Sequence, residues 1–83
     1  MNQSIQFPEA PYYDAAKDAI RLDAIVNGWR VPCYFHASWF SGEVWTALRA
    51  EELAQAKLLL LEEAAEAAIE EEAMDVEGEI HLD

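Results

Sequence analysis

The chain is short of most of what would fix it to something by covalent bond, membrane or nucleic acid. Cysteine occurs once, as Cys33, which excludes an internal disulfide and fits a reducing compartment. Bases number five against 17 acids, so direct contact with DNA, RNA or anionic lipid lacks the cations it needs. The longest wholly apolar run is Leu58 to Leu61, and the opening MNQSIQFPEAP has neither a basic n-region nor an apolar h-region. Neither export nor membrane insertion is expected, and the cytoplasm, a host cell's if the gene is a phage's, is the expected location. None of the three glycines and three prolines falls between Ala50 and Met74.

What is present is a single small domain's worth of material. The 83 residues are 53% hydrophobic with nine aromatics, enough for a modest core despite a net charge of -12. The charge is divided unevenly. Residues 1–61 carry seven acids and five bases, while residues 62–83 carry ten acids and no base. A near-neutral platform is joined to an acidic arm, and folding proceeds against that arm's self-repulsion.

In AIRLDAIVNGWRVPCYFH, Asn27-Gly28 separates two alternating runs, the pattern of a hairpin closed by a type I′ turn. A two-residue loop pairs Val26 with Trp29, Ala24 with Val31, Leu22 with Cys33 and Ile20 with Phe35, placing eight apolar side chains on one face. The other face, Ile25/Arg30, Asp23/Pro32, Arg21/Tyr34 and Ala19/His36, is largely polar. Pro32 sits at a non-hydrogen-bonded position towards its partner, so the second strand is expected to be an edge there. Ser4 to Phe7 suits a short strand, Pro8 and Pro11 an extended link, and Gly78 to Leu82 a last strand with Ile80 and Leu82 inward.

Ser38 or Ser41 is expected to cap a helix through Trp45 and Leu48, and one long helix is expected from about 50 to 74. On that helix Leu53, Leu60, Leu61, Ala64, Ala67 and Ala68 form one stripe, and Glu52, Glu63, Glu66 and Glu70 the opposite one, with Leu59 among the acids. The expected fold class is α+β: a small antiparallel sheet centred on the hairpin 19–26/29–36, packed against helices and closed by a short strand. All of 1–83 reads as one domain, with the strands and hairpin in 1–36, helices in 37–75 and the last strand in 76–83.

The stretch FPxxPxYDxAxxAIRLxAxVNGxxVPC, with Ser38-Trp39 and the closing Gly78-Glu79-Ile80, resembles the proteobacterial domain-of-unknown-function family 1488. Tyr13-Asp14, the Asn27-Gly28 turn and Cys33 carry the likeness, which is strongest over Phe7 to Cys33 and returns at the last strand. The resemblance implies a small α+β fold and supplies no activity. The long acidic helix departs from the more mixed charge of that pattern.

No reaction is spelled out. Cys33 and His36 have the spacing of half a metal site, but on a strand they point to opposite faces and no second Cys/His pair follows. Asp75-Val76-Glu77-Gly78-Glu79 lacks the spaced ligands of an EF-hand. Paired carboxylates on a solvated stripe do not separate their pKa values as acid–base catalysis requires. The expectation is therefore a non-enzymatic protein without cofactor or metal.

The acidic arm suits a basic partner. Carboxylates one helical turn apart stand about 5–6 Å from each other, broadly the spacing of successive phosphates. In size and charge the chain is of a type with small phage inhibitors such as anti-CRISPR proteins. That analogy gives the expected function: an inhibitor that binds a nucleic-acid-handling complex by mimicry, through Glu52, Leu59, Glu63, Glu66, Glu70, Glu71 and Glu72. The alternative is a small bacterial regulatory or structural protein in which the apolar stripe, around Leu60 and Ala64, pairs two copies as a homodimer.

Overall fold

Asn27 and Gly28 take φ values of +52° and +87°, the double left-handed geometry of a type I′ turn. The computed structural model describes residues 4–83, and the hairpin at its centre joins β3 (Ala19–Val26) to β4 (Trp29–His36). Its register is the expected one along its whole length, from Val26 opposite Trp29 to Ala19 opposite His36. Ile20, Leu22, Ala24, Val31, Cys33 and Phe35 are buried on one face. Trp29 is the exception: at the turn end, beyond the reach of the helices, it is 77% exposed.

β1 (Ile5–Gln6) and β2 (Tyr12–Asp14) share the outer edge of β3, one at each end. The Pro8 to Pro11 segment links them, since proline withholds the N–H that a continuous strand would need. β5 (Ile80–Leu82) seats on the free edge of β4, parallel to it, with Cys33 opposite Ile80. The sheet is thus mixed and five-stranded rather than wholly antiparallel. Pro32 lies just before the β5 pairing begins, so its missing donor leaves no gap in the ladder.

One expected helix proves to be two. A 3₁₀ turn, Ala37–Phe40, leaves β4, and α1 (Ala47–Ala56) starts later than Ser38 or Ser41 would place it. Thr46 is its N-cap, its Oγ1 accepting the Arg49 N–H at 3.1 Å. At Lys57 the backbone leaves helical geometry (φ −114°, ψ 23°), and α2 (Leu58–Glu70) begins. A straight 25-residue helix would be about 37 Å long, whereas eight-residue strands span about 27 Å. The break keeps both halves on one sheet.

The break also rephases the buried stripe. Ala50, Leu53 and Ala54 of α1 and Leu61, Ala65, Ala68 and Ile69 of α2 meet the sheet's apolar face, with Phe40 between them. Leu60 and Ala67, expected inward on a continuous helix, are exposed, and Ala64 is half-buried.

α2 ends four residues earlier than expected, at Glu70. The Ala73 N–H reaches the Ala68 carbonyl and the Glu72 N–H the Ile69 carbonyl, both at 3.0 Å, with Glu72 at φ +58°. This is a Schellman termination with glutamate where glycine is usual.

Candidate functional site

Two surfaces carry the candidate groups. The first is the outer side of the helical layer. Glu63, Glu66 and Glu70 stand on the solvent side of α2 in line with Leu59, which is 75% exposed. Glu71 and Glu72 follow beyond the helix end. Glu52 is exposed too, but on α1, across the Lys57 break, where it pairs with Arg49 at 3.7 Å. The structure therefore sets four of the seven expected residues, Leu59, Glu63, Glu66 and Glu70, along one side of α2, places Glu71 and Glu72 just past its end, and leaves Glu52 on a separate helix. Leu60 and Leu48 are also uncovered, and Lys57, Leu58, Leu59 and Leu60 line a shallow open cleft at the break.

The second surface is the sheet face opposite the helices, which sequence reasoning left as merely polar. Asp23 is 6% exposed there and is held by Arg21 Nε and Arg30 Nη1, both at 2.7 Å. The hydrogen bond to Asp23 holds the Arg21 guanidinium's pKa above its usual range. Glu9 adds a second carboxylate to Arg30 at 3.3 Å. Among the described residues no buried side-chain polar atom lacks a partner.

At the lower end of this face β5 brings His81 beside His36 of β4. His81 Nδ1 is 2.9 Å from His36 Nε2, and the His81 ring lies 18° from parallel with the Tyr34 ring at 5.2 Å. His81 Nε2 faces Glu79 Oε1 at 3.2 Å and Asp75 Oδ2 at 3.6 Å. Asp75 Oδ1 accepts the Glu77 and Glu79 N–H groups at 2.9 and 3.0 Å. Those backbone donors, Glu79 first, hold the Asp75 carboxyl below the ordinary carboxylate range. Lys17 Nζ stands 3.6 Å from Glu79 Oε1 and over the Tyr34 ring.

A neighbouring corner joins the sheet to the helices. The Tyr13 hydroxyl donates to Asp18 Oδ1 at 2.6 Å, and Trp45 Nε1–H donates to the same oxygen at 3.2 Å. Tyr13's hydroxyl pKa is raised and Asp18's lowered by that shared bond. The Tyr13 N–H, pointing out from the sheet edge, is taken by Glu51 Oε2 of α1 at 2.9 Å. Cys33 is buried in the core, and burial pushes its thiol up to about 12. It is an inward residue, with the thiol form favoured over the thiolate.

The chain matches, over residues 5–82, the family described as "Protein of unknown function (DUF1488)". It belongs to that family. A crystal structure of a DUF1488 protein of unknown function from Shewanella loihica PV-4 superposes with a TM-score of 0.84 at 32% identity, covering 99% of this chain and 94% of that one. Among curated proteins none matches. The DUF1488 fold is thus this mixed sheet with its two helices on one face.

The His36/His81 meeting is the feature that sequence reasoning missed. The residues are 45 apart, and only the parallel seating of β5 on β4 joins them. A signal was available: with Ile80 and Leu82 inward, His81 must emerge on the same face as His36.

Proposed function

We propose that this DUF1488 protein is a non-enzymatic docking protein whose α2 surface binds a basic protein partner. One observation carries the reading. Each of the five bases is engaged within the chain: Lys17 with Glu79, Arg21 with Asp23, Arg30 with Asp23 and Glu9, Arg49 with Glu52, and Lys57 with Glu43. None of those pairs involves Glu63, Glu66, Glu70, Glu71 or Glu72, so among the described residues the solvent side of α2 that carries the uncovered Leu59, and the segment just beyond the helix end, hold five acids with no base paired to them. Unneutralised charge of one sign beside exposed leucines is a surface suited to a partner that brings cations and an apolar contact.

The narrower form of this reading is an inhibitor, of the anti-CRISPR type at its most specific, that occupies a groove built for nucleic acid. The test separates the two. A tagged copy is purified gently from a bacterial host with nuclease present, and what accompanies it is identified by mass spectrometry and challenged with salt. A basic protein that survives nuclease and leaves with salt supports docking, and displacement of that protein's nucleic acid by the pure chain supports inhibition. Retention of the partner by a folded Glu63→Lys/Glu66→Lys/Glu70→Lys variant refutes both.

The homodimer is the second reading, favoured by the exposed Leu48, Leu59 and Leu60. A second copy on this surface would set α2 carboxylates against each other, so the dimer would have to use the cleft at Lys57 and not the acidic stripe. Light scattering decides: a monomer, or a dimer whose mass is unaltered by Leu60→Lys with Ala64→Lys, removes this reading.

A further inference from the structure

We infer that Asp75, Glu79 and His81 form a binding site for a divalent first-row transition cation at the entry to β5. One ligand atom from each lies within 4.8 Å of the others, and His81 Nε2 stands 3.2 and 3.6 Å from the two carboxylate oxygens. Bonds of about 2.0–2.2 Å to one ion set neighbouring ligand atoms roughly 3–3.5 Å apart. Small side-chain adjustments bring the three onto a common ion.

The surroundings orient the imidazole as a ligand is oriented. Asp75 Oδ1 is occupied by two backbone N–H groups, which leaves Oδ2 as the oxygen turned to His81. His36, on a different strand and outside the ligand set, sits 2.9 Å from His81 Nδ1. With an ion bound, the His81 proton sits on Nδ1 with His36 Nε2 as its acceptor and the Nε2 lone pair is free for the metal; without one, Nε2–H donates to Glu79 Oε1 at 3.2 Å. An orienting partner on the far nitrogen is the usual companion of a metal-bound histidine. Tyr34 fixes the ring plane from beneath.

A cation is already drawn to this corner. Lys17 Nζ lies 3.6 Å from Glu79 Oε1, so an entering ion competes with an ammonium and gains when it is removed. One imidazole and two carboxylates with open positions suit Zn2+, Co2+ or Mn2+ better than Ca2+, which takes six to eight oxygens. A bound ion would tie the turn at Asp75 to β5 and so stiffen the last strand.

The probe is Zn2+ alone, titrated calorimetrically into the full chain in a non-chelating buffer, with Ca2+ and Mg2+ as comparisons. One site per chain is expected, tighter for Zn2+ than for the other two. His81→Gln, Asp75→Asn and Glu79→Gln should each weaken it roughly tenfold or more, and His36→Gln should weaken it through orientation. Lys17→Ala should tighten it, while Glu63→Gln/Glu66→Gln/Glu70→Gln should leave it unchanged. A site that survives His81→Gln, or vanishes with the α2 carboxylates, overturns the inference. Because His81→Gln also loosens the Tyr34 contact, the wild-type chain supplies a second measurement. Co2+ should shift the His81 imidazole resonances first, and shifts confined to α2 would refute the site.

Discussion

Replacing Glu72 by glycine should stabilise the protein, although it removes one of the residues expected to bind a partner. Glu72 holds φ +58° at the position after the α2 C-cap, where its N–H and that of Ala73 close the Schellman pair on Ile69 and Ala68. An L-residue in that region costs about 1–2 kcal/mol. Glycine escapes the clash but gives up about 0.5–1 kcal/mol of unfolded-chain entropy. The net gain is about 0.5–1 kcal/mol, with a smaller addition from removing a negative charge at the negative end of the helix. In a domain of this size that corresponds to a Tm rise of about 2–8 °C.

Urea unfolding followed by far-UV circular dichroism measures the change, and two companions divide it. Glu72→Gln removes the charge and keeps the side chain, so it should recover only the electrostatic part. Glu72→Asn removes the charge and tolerates the left-handed region, so it should fall between Gln and Gly. A glycine variant no more stable than the glutamine one would refute the backbone argument and leave only charge.

Four other outcomes follow from the same geometry. Cys33, with its pKa pushed up to about 12 by burial, should react with a thiol reagent only at the rate of opening, so wild-type labelling should track urea concentration and a fast native phase would contradict its burial. Phe35→Ala and Leu61→Ala should each cost about 2–5 kcal/mol in urea unfolding, whereas Trp29→Ser, at an exposed turn end, should stay within about 0.5 kcal/mol. Asp18 and Asp75 have lowered folded-state pKa values, so their contribution is present above the unfolded value of about 3.9 and is lost as pH falls through the folded one. Asp18→Asn should therefore flatten the acid limb of stability, read through Trp45 fluorescence, and an unchanged limb would count against that bond. Added salt should raise stability by screening α2, and the Glu63→Gln/Glu66→Gln/Glu70→Gln variant should lose that response.

The hairpin was legible because three independent signals agreed: the Asn27-Gly28 turn, the alternation on both sides, and an apolar face that a one-residue slip would empty. The helix break was not, because Lys57 is neither glycine nor proline. Its cause is tertiary, the mismatch between a long helix and a short sheet, and a local reading of Ala50 to Met74 sees only good helix formers. The same omission misplaced Leu60, whose direction depends on the phase set at the break. The expected acidic residues were legible as exposed positions, since a run of glutamates has no other place to go. That Glu52 stands apart from them follows from the break.

The bases explain why the uncovered sheet face is largely neutralised while α2 is not. Three of the five, Lys17, Arg21 and Arg30, gather on the uncovered sheet face, where they neutralise Asp23, Glu9 and Glu79. The other two serve α1 and its approach, through Glu52 and Glu43. Moving Arg21 or Arg30 to α2 would strip a countercharge from Asp23, which is almost fully buried. Breaking a buried pair costs far more than leaving a solvated glutamate unpaired. The sheet therefore has first claim on the cations, and the solvated helix, with its leucines uncovered at Lys57, is left with the carboxylates that the bases do not reach.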